Sequence, residues 1–222
     1  MREPDGLLAA GGDLSAERLL YAYTHGIFPW YDDGQPILWW APDPRCIIRP
    51  ERFHVSRRLA RSVRQSALEL TFNQSFSDVV LACAGPRRQQ HGTWITEEMI
   101  VAYSELHRRG WAHSVEVVDG DRLVGGIYGL AIGRVFFGES MFSHETNASK
   151  MAMLALCRIL EANGFELIDC QVTSGHLITL GAETIPRDDF SAIIAEACAG
   201  SESFDAWPTP RLPVRELVRT SG

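Results

Sequence analysis

From residue 96 to residue 172 the apolar positions recur with two different periods. Behind Thr96, a residue suited to capping, Ile100, Tyr103 and Leu106 line one side of a predicted helix that ends at Gly110. Three runs rich in β-formers follow, His113 to Val118, Leu123 to Ile132 and Val135 to Phe142. With the turn Asp119-Gly120 between the first two, they predict an antiparallel meander. Helical spacing returns from Ala148 to Asn163, with Gly164 as its stop, and Leu167 to Val172 reads as another strand. Helical segments near His176 and from Asp188 to Cys198 close the pattern.

Upstream, Leu19, Leu20 and Tyr23 form a short apolar stripe between the capping candidates Asp13 or Ser15 and the stop Gly26. Cys46 to Ile48 predicts a strand, Ser56 to Arg64 a helix, Leu68 to Phe72 a strand and Phe76 to Ala84 a helix. The stiff break Pro42-Asp43-Pro44 is the expected boundary between a small N-terminal domain, residues 1–45, and a larger one, residues 46–222. The expected fold class is α+β, with a mixed, mostly antiparallel sheet flanked by helices.

A chain of 222 residues with 45% hydrophobic and 22% charged residues has enough apolar material for a core. No apolar run approaches the roughly 20 residues that span a bilayer, and the first residues lack a secretory apolar region; a cytoplasmic location and no membrane partner are expected. The five cysteines are widely spaced with no C-x-x-C pair and read as reduced core thiols. The histidines show no zinc-binding spacing, so no metal is expected. A net charge of −7 argues against coating nucleic acid by global attraction, and no DNA partner is expected. One basic stretch stands out, because Arg45, Arg49, Arg52, Arg57, Arg58, Arg61 and Arg64 are interrupted by Glu51 alone. Arg57, Arg61 and Arg64 share a helix face; they form either a phosphate-binding patch or a solvated face.

Asp169 and Gln171 sit at i and i+2 on a predicted strand, so both project from one face. Alternating polar residues usually mark a solvated strand face, a reading made less natural by the neighbours Leu167, Ile168 and Val172. Gly125, Gly126 and Gly129 interrupt a strand, where glycine often marks a close approach of backbone or ligand.

Five spaced passages carry a family likeness. They are Gly11-Gly12-Asp13-Leu14 with Gly26-Ile27-Phe28-Pro29-Trp30; Trp39-Trp40-Ala41-Pro42-Asp43-Pro44-Arg45; Gly92-Thr93-Trp94-Ile95-Thr96; Phe137 to Ser143 with Asn147-Ala148-Ser149-Lys150; and Leu167-Ile168-Asp169-Cys170-Gln171 with Leu180-Gly181-Ala182 and Ile185-Pro186-Arg187. Together they resemble the leucyl/phenylalanyl-tRNA-protein transferase family over roughly residues 2 to 190. Longer members carry extra residues before the stretch matched by Arg2-Glu3-Pro4, which leaves open the contacts made by such an extension.

The resemblance implies transfer of leucine or phenylalanine, less well methionine, from aminoacyl-tRNA to proteins beginning with arginine or lysine. The product carries an N-terminal degradation signal, and no cofactor is implied. The strand and helix order also resembles the GNAT-like acyltransferase fold. The loop that holds coenzyme A there is replaced by Phe142-Ser143-His144-Glu145-Thr146-Asn147, which counts against a CoA enzyme. The resemblance assigns Asp169, Gln171 and Glu139 to the catalytic centre, with Asp169 polarising Gln171, Gln171 orienting the amine and Glu139 holding the acceptor's cationic first residue. Trp30 and Trp94 match tryptophans that grip the 3′-terminal adenosine, while Trp39, Trp40 and Trp111 are read as core. Ile127, Phe136, Leu156 and Leu160 match the pocket for the aminoacyl side chain. Arg57, Arg61 and Arg64 are expected to hold the tRNA acceptor stem.

Overall fold

Two sheets share the chain, one built from residues before Pro44 and one from residues after it. The computed structural model describes residues 6–85, 95–200, 203–209 and 211–218. The first sheet has three strands, β1 (Leu7–Ala10), β2 (Phe28–Pro29) and β3 (Leu38–Trp40), in the order β1-β3-β2, with helix α1 (Ala16–Thr24) between β1 and β2.

The second sheet uses β4 (Arg45–Ile48), β5 (Glu69–Phe72), β6 (Ala112–Asp119), β7 (Arg122–Ile132), β8 (Val135–Ser143), β9 (Leu167–Gln171), β10 (Glu183–Ile185) and β11 (Leu212–Pro213). Its order is β10-β4-β9-β8-β7-β6-β5-β11, and among the described residues only β8 and β9 run parallel. Among the described residues six α-helices accompany it: α2 (Arg57–Gln65), α3 (Phe76–Ala84), α4 (Glu97–Arg108), α5 (Ala148–Ala162), α6 (Gly175–Thr179) and α7 (Arg187–Ala197). The expected mixed, mostly antiparallel sheet flanked by helices is therefore present, and edge strands β10 and β11, absent from the periodicity, extend it.

Both faces of the large sheet are covered, which explains why β7 is buried continuously from Val124 to Ile132 instead of alternating. One face packs with α1, α3, α4 and α7 through Leu19, Val79, Met99, Leu106 and Ile194, and Phe28 and Trp39 of the small sheet join this core. The other face packs with α2 and α5 through Leu59, Val63, Leu154, Leu156 and Leu160. Each of the α5 leucines is at most 1% exposed, worth about 1.5 to 3 kcal/mol of apolar transfer apiece. Thr96 caps α4 by accepting from the Met99 N–H, and Ser56 does the same for α2 with Leu59.

The strand glycines mark close approaches of the chain to itself. A Cβ on Gly125 would lie 2.4 Å from Ala148 Cβ, where α5 begins directly on β7. A Cβ on Gly129 would lie 2.2 Å from the Phe137 carbonyl oxygen, beside the bulge in the β7–β8 pairing.

Candidate active site

The site begins where two parallel strands part. β8 and β9 pair only from Val135–Phe137 against Leu167–Asp169. Beyond that point β8 stays with β7, pairing Ile127 with Met141, while β9 turns to β4, pairing Gln171 with Cys46. The wedge between them opens into a cleft of about 620 Å³, whose lining includes Glu139, Met141, Gln171, Met153 and Trp30. That volume lies within the range of small-molecule sites.

Glu139 stands on β8 at the root of this wedge, 8% exposed. Its Oε1 accepts from Tyr23 Oη at 2.6 Å and from Gln171 Nε2 at 3.0 Å, and its Oε2 accepts from Tyr103 Oη at 2.9 Å. The two tyrosine hydroxyls also hydrogen-bond each other. Burial pushes the Glu139 carboxyl up to about 7, while the Tyr23 and Tyr103 hydrogen bonds pull it down and the Asp169 charge adds to the rise. Burial also raises both tyrosines well above their ordinary value, so they act as neutral donors.

Asp169 is fully buried, and both its oxygens are taken. Arg45 donates to them from Nε at 2.7 Å and Nη2 at 2.6 Å, a bidentate pair in which Arg45 is itself 1% exposed. The guanidinium lies between the rings of Phe28 and Phe190, 4.9 and 4.6 Å from their centroids. Asp169 also accepts from the Gln171 main-chain N–H at 2.9 Å. Asp169 thus touches the Gln171 backbone, and the contact with its side-chain amide expected from sequence is instead made by Glu139. Gln171 has φ of 63°, a left-handed conformation uncommon outside glycine, which the Asp169 hydrogen bond helps to hold. Among the described residues nothing donates to Gln171 Oε1, so that oxygen is available in the cleft.

Four of the residues anticipated from sequence converge here. Glu139, Gln171, Trp30 and Ile127 line the cleft, with Trp30 41% exposed, while Asp169 lies directly beneath. Trp94 lies outside the described residues. Phe136, Leu156 and Leu160 do not line the cleft; each is completely buried in the core between sheet and α5. The reason is topological. α5 packs on β7, β6 and β8, and Leu156 and Leu160 are buried in that core, whereas Met153, nearer the helix start, lines the cleft. The apolar wall is made by Ile127, Met141, Met153, Ile168 and Leu177. Trp39 is buried, and Trp40 and Trp111 are half-buried against the same core, as expected.

The basic stretch splits in two. Arg45 is buried on Asp169, Arg49 pairs with Glu183 at 3.1 Å and Arg52 approaches Glu51 at 3.8 Å, so these three are not free cations. Arg57, Arg58, Arg61 and Arg64 are exposed on α2 and make no ion pair among the described residues. Tyr23 and Tyr103 lay in the apolar stripes of α1 and α4 and were legible only as core. The missed signal is chemical: a buried tyrosine needs a partner for its hydroxyl, and two of them on facing helices imply a shared acceptor.

Among the described residues no helix is long and apolar enough to cross a membrane. The solved structure of L-PGS from Bacillus licheniformis, 10% identical over 73% of this chain and 55% of that one, overlays with a TM-score of 0.39, too distant to bear on the fold. Relatives in sequence are far nearer. The leucyl/phenylalanyl-tRNA–protein transferase of Pseudomonas syringae pv. syringae (strain B728a) is 60% identical over 191 residues, 86% of this chain and 83% of that one. That of Pseudomonas fluorescens (strain SBW25) is 58% identical over 196 residues, 88% and 87%. The family model for the N-terminal domain of these transferases matches residues 12–43, and the model for the transferase itself matches residues 47–195. The chain belongs to the leucyl/phenylalanyl-tRNA protein transferase family.

Proposed function

We propose that the cleft transfers leucine or phenylalanine, and methionine less well, from aminoacyl-tRNA to the α-amino group of proteins beginning with arginine or lysine. The modified proteins carry an N-terminal degradation signal, and the work is done in the cytoplasm. One observation supports this reading most directly: an amide oxygen, Gln171 Oε1, with no donor among the described residues, stands beside a buried acid, Glu139, at the root of an apolar cleft. An aminoacyl ester is already activated, so the protein has mainly to place a neutral amine against the ester carbonyl.

In this reading Gln171 accepts from the attacking amine through Oε1 and orients it. Asp169, anchored by Arg45, fixes Gln171 through its main chain, and Glu139 faces the acceptor's amino terminus. Ile127, Met141, Met153, Ile168 and Leu177 receive the unbranched-at-Cβ side chain of the donor. Trp30 stacks on the terminal adenosine, a role also proposed for Trp94. Arg57, Arg61 and Arg64 hold phosphates of the acceptor stem.

The splay of β8 from β9 supports a GNAT-like architecture for residues 46–222, with residues 1–45 as the small N-terminal unit. The change of sheet near Pro44 supports that division. The activity is tested by incubating the protein with radiolabelled leucyl-tRNA and an acceptor peptide beginning with arginine, beside the same peptide beginning with alanine. Label is expected on the arginine peptide only. Equal labelling of both, or of neither, overturns the reading.

A further inference from the structure

Three oxygen–oxygen contacts link Tyr23, Tyr103 and the two carboxylate oxygens of Glu139 into a ring. Each contact consumes one hydrogen, and two neutral tyrosines supply two. With Glu139 ionised, one contact of the three has no hydrogen in it. With Glu139 protonated, all three are filled: the carboxyl donates to Tyr103, Tyr103 to Tyr23, and Tyr23 back to Oε1. Gln171 Nε2 donates to Oε1 in either state.

We propose that Glu139 is the proton acceptor for the attacking amine, and that Tyr23 and Tyr103 are positioning residues whose hydroxyls donate to the ionised carboxylate and hold it ready at the root of the cleft. The inference rests on the transfer reading above. The incoming α-ammonium gives one hydrogen to Glu139, and the freed lone pair forms the N–C bond to the ester carbonyl. The C–O bond to the tRNA ribose breaks, a second amine hydrogen ends on the ribose hydroxyl, and the third stays on the new amide. Glu139 then releases its proton through the cleft.

The charged and titratable groups around Glu139 favour this. Tyr23 comes from α1 and Tyr103 from α4, and Tyr128 of β7 meets Tyr103 edge-on at 5.8 Å. Asp169 of β9 raises the carboxyl but is itself paired with Arg45 of β4. Cys170 and His176 line the same cleft, the histidine held below its ordinary value by burial and by Lys150. A carboxyl near 7 is matched to an α-amine whose ordinary pKa is near 8, the condition for efficient proton transfer at neutral pH.

The test is the pH dependence of kcat/KM with leucyl-tRNA and the arginine peptide, for the unaltered protein, Tyr23→Phe, Tyr103→Phe and Glu139→Gln. Each tyrosine variant removes one donor to the carboxylate, so its acid limb is expected to move up by about one pH unit, roughly a tenfold loss at pH 6 that narrows to about twofold at pH 8. Glu139→Gln is expected to lose the Glu139 limb altogether. Infrared difference spectra give a second readout independent of turnover. A protonated-carboxyl band should titrate near neutrality, vanish in Glu139→Gln and persist to higher pH in Tyr23→Phe. Acid limbs left at the pH of the unaltered protein in both tyrosine variants, or a carboxyl band unmoved by them, overturn the proposal while leaving the transfer activity standing. Absence of transfer by the unaltered protein overturns both.

Discussion

The cleft and the α2 surface treat charge in opposite ways. At the root of the cleft every buried charge is enclosed: Asp169 by Arg45, and Glu139 by two tyrosines and an amide. On α2 four arginines stand in solvent without a carboxylate partner among the described residues. Removing charge from water costs several kcal/mol per ion, so a buried charge persists only where geometry compensates for it. An exposed arginine carries no such cost and keeps its donors for a partner outside the protein. The contrast separates charges that hold the site in shape from charges that meet a ligand.

The largest expected effect comes from breaking the enclosed pair. Arg45→Met leaves Asp169 buried without a counter-charge and should lower unfolding free energy by about 3 to 5 kcal/mol in urea titration. A loss below 1 kcal/mol would mean that water reaches Asp169.

Next comes Glu139, whose carboxyl is lifted from 4.5 to about 7 in the folded protein. The folded state then binds more protons than the unfolded one between those values, so stability falls as pH rises through that window and stays low above it. Glu139→Gln removes the penalty, and should stabilise the protein at pH 8 by on the order of 3 kcal/mol while changing little at pH 4. Equal melting shifts at both pH values would show that the acid is not strained by burial.

Between the extremes lies the half-exposed pair of Arg49 and Glu183. Arg49→Ala should cost less than about 1 kcal/mol, and added salt should shrink even that. A cost as large as that of Arg45→Met would erase the distinction drawn between the two regions. The smallest change in stability is expected from Arg57→Ala with Arg61→Ala, within about 0.5 kcal/mol. Binding of leucyl-tRNA should nevertheless lose salt sensitivity, the slope of log K against log salt flattening by roughly one to two units. An unchanged slope would move the tRNA surface off α2.

Much of this was legible in the sequence where local rules dominate. The helix behind Thr96, the Phe76–Ala84 helix and the meander of β6, β7 and β8 follow from caps, turns and period. Glu139, Gln171 and Ile127 came from the family likeness and meet in one cleft. Long-range pairing was not legible. Arg45 looked like the first member of a surface patch because nothing nearby shows that Asp169, 124 residues on, would claim it. Leu156 and Leu160 were assigned to the pocket by the family likeness, and the sequence does not tell which turn of α5 meets open space; in the structure it is the turn of Met153. The edge strands β10 and β11 are three and two residues long, too short to carry a period.

Gly26, just past α1, has so little room that a Cβ there would lie 2.9 Å from the Phe190 ring of α7. The turn that ends α1 therefore packs on a helix encoded more than 150 residues later. A ribosome adding about 5 to 20 residues per second needs on the order of ten to thirty seconds to travel from one position to the other. Through that interval the turn after α1 has no α7 to pack against, so the nascent chain is expected to lean on a chaperone until Phe190 and Ile194 emerge.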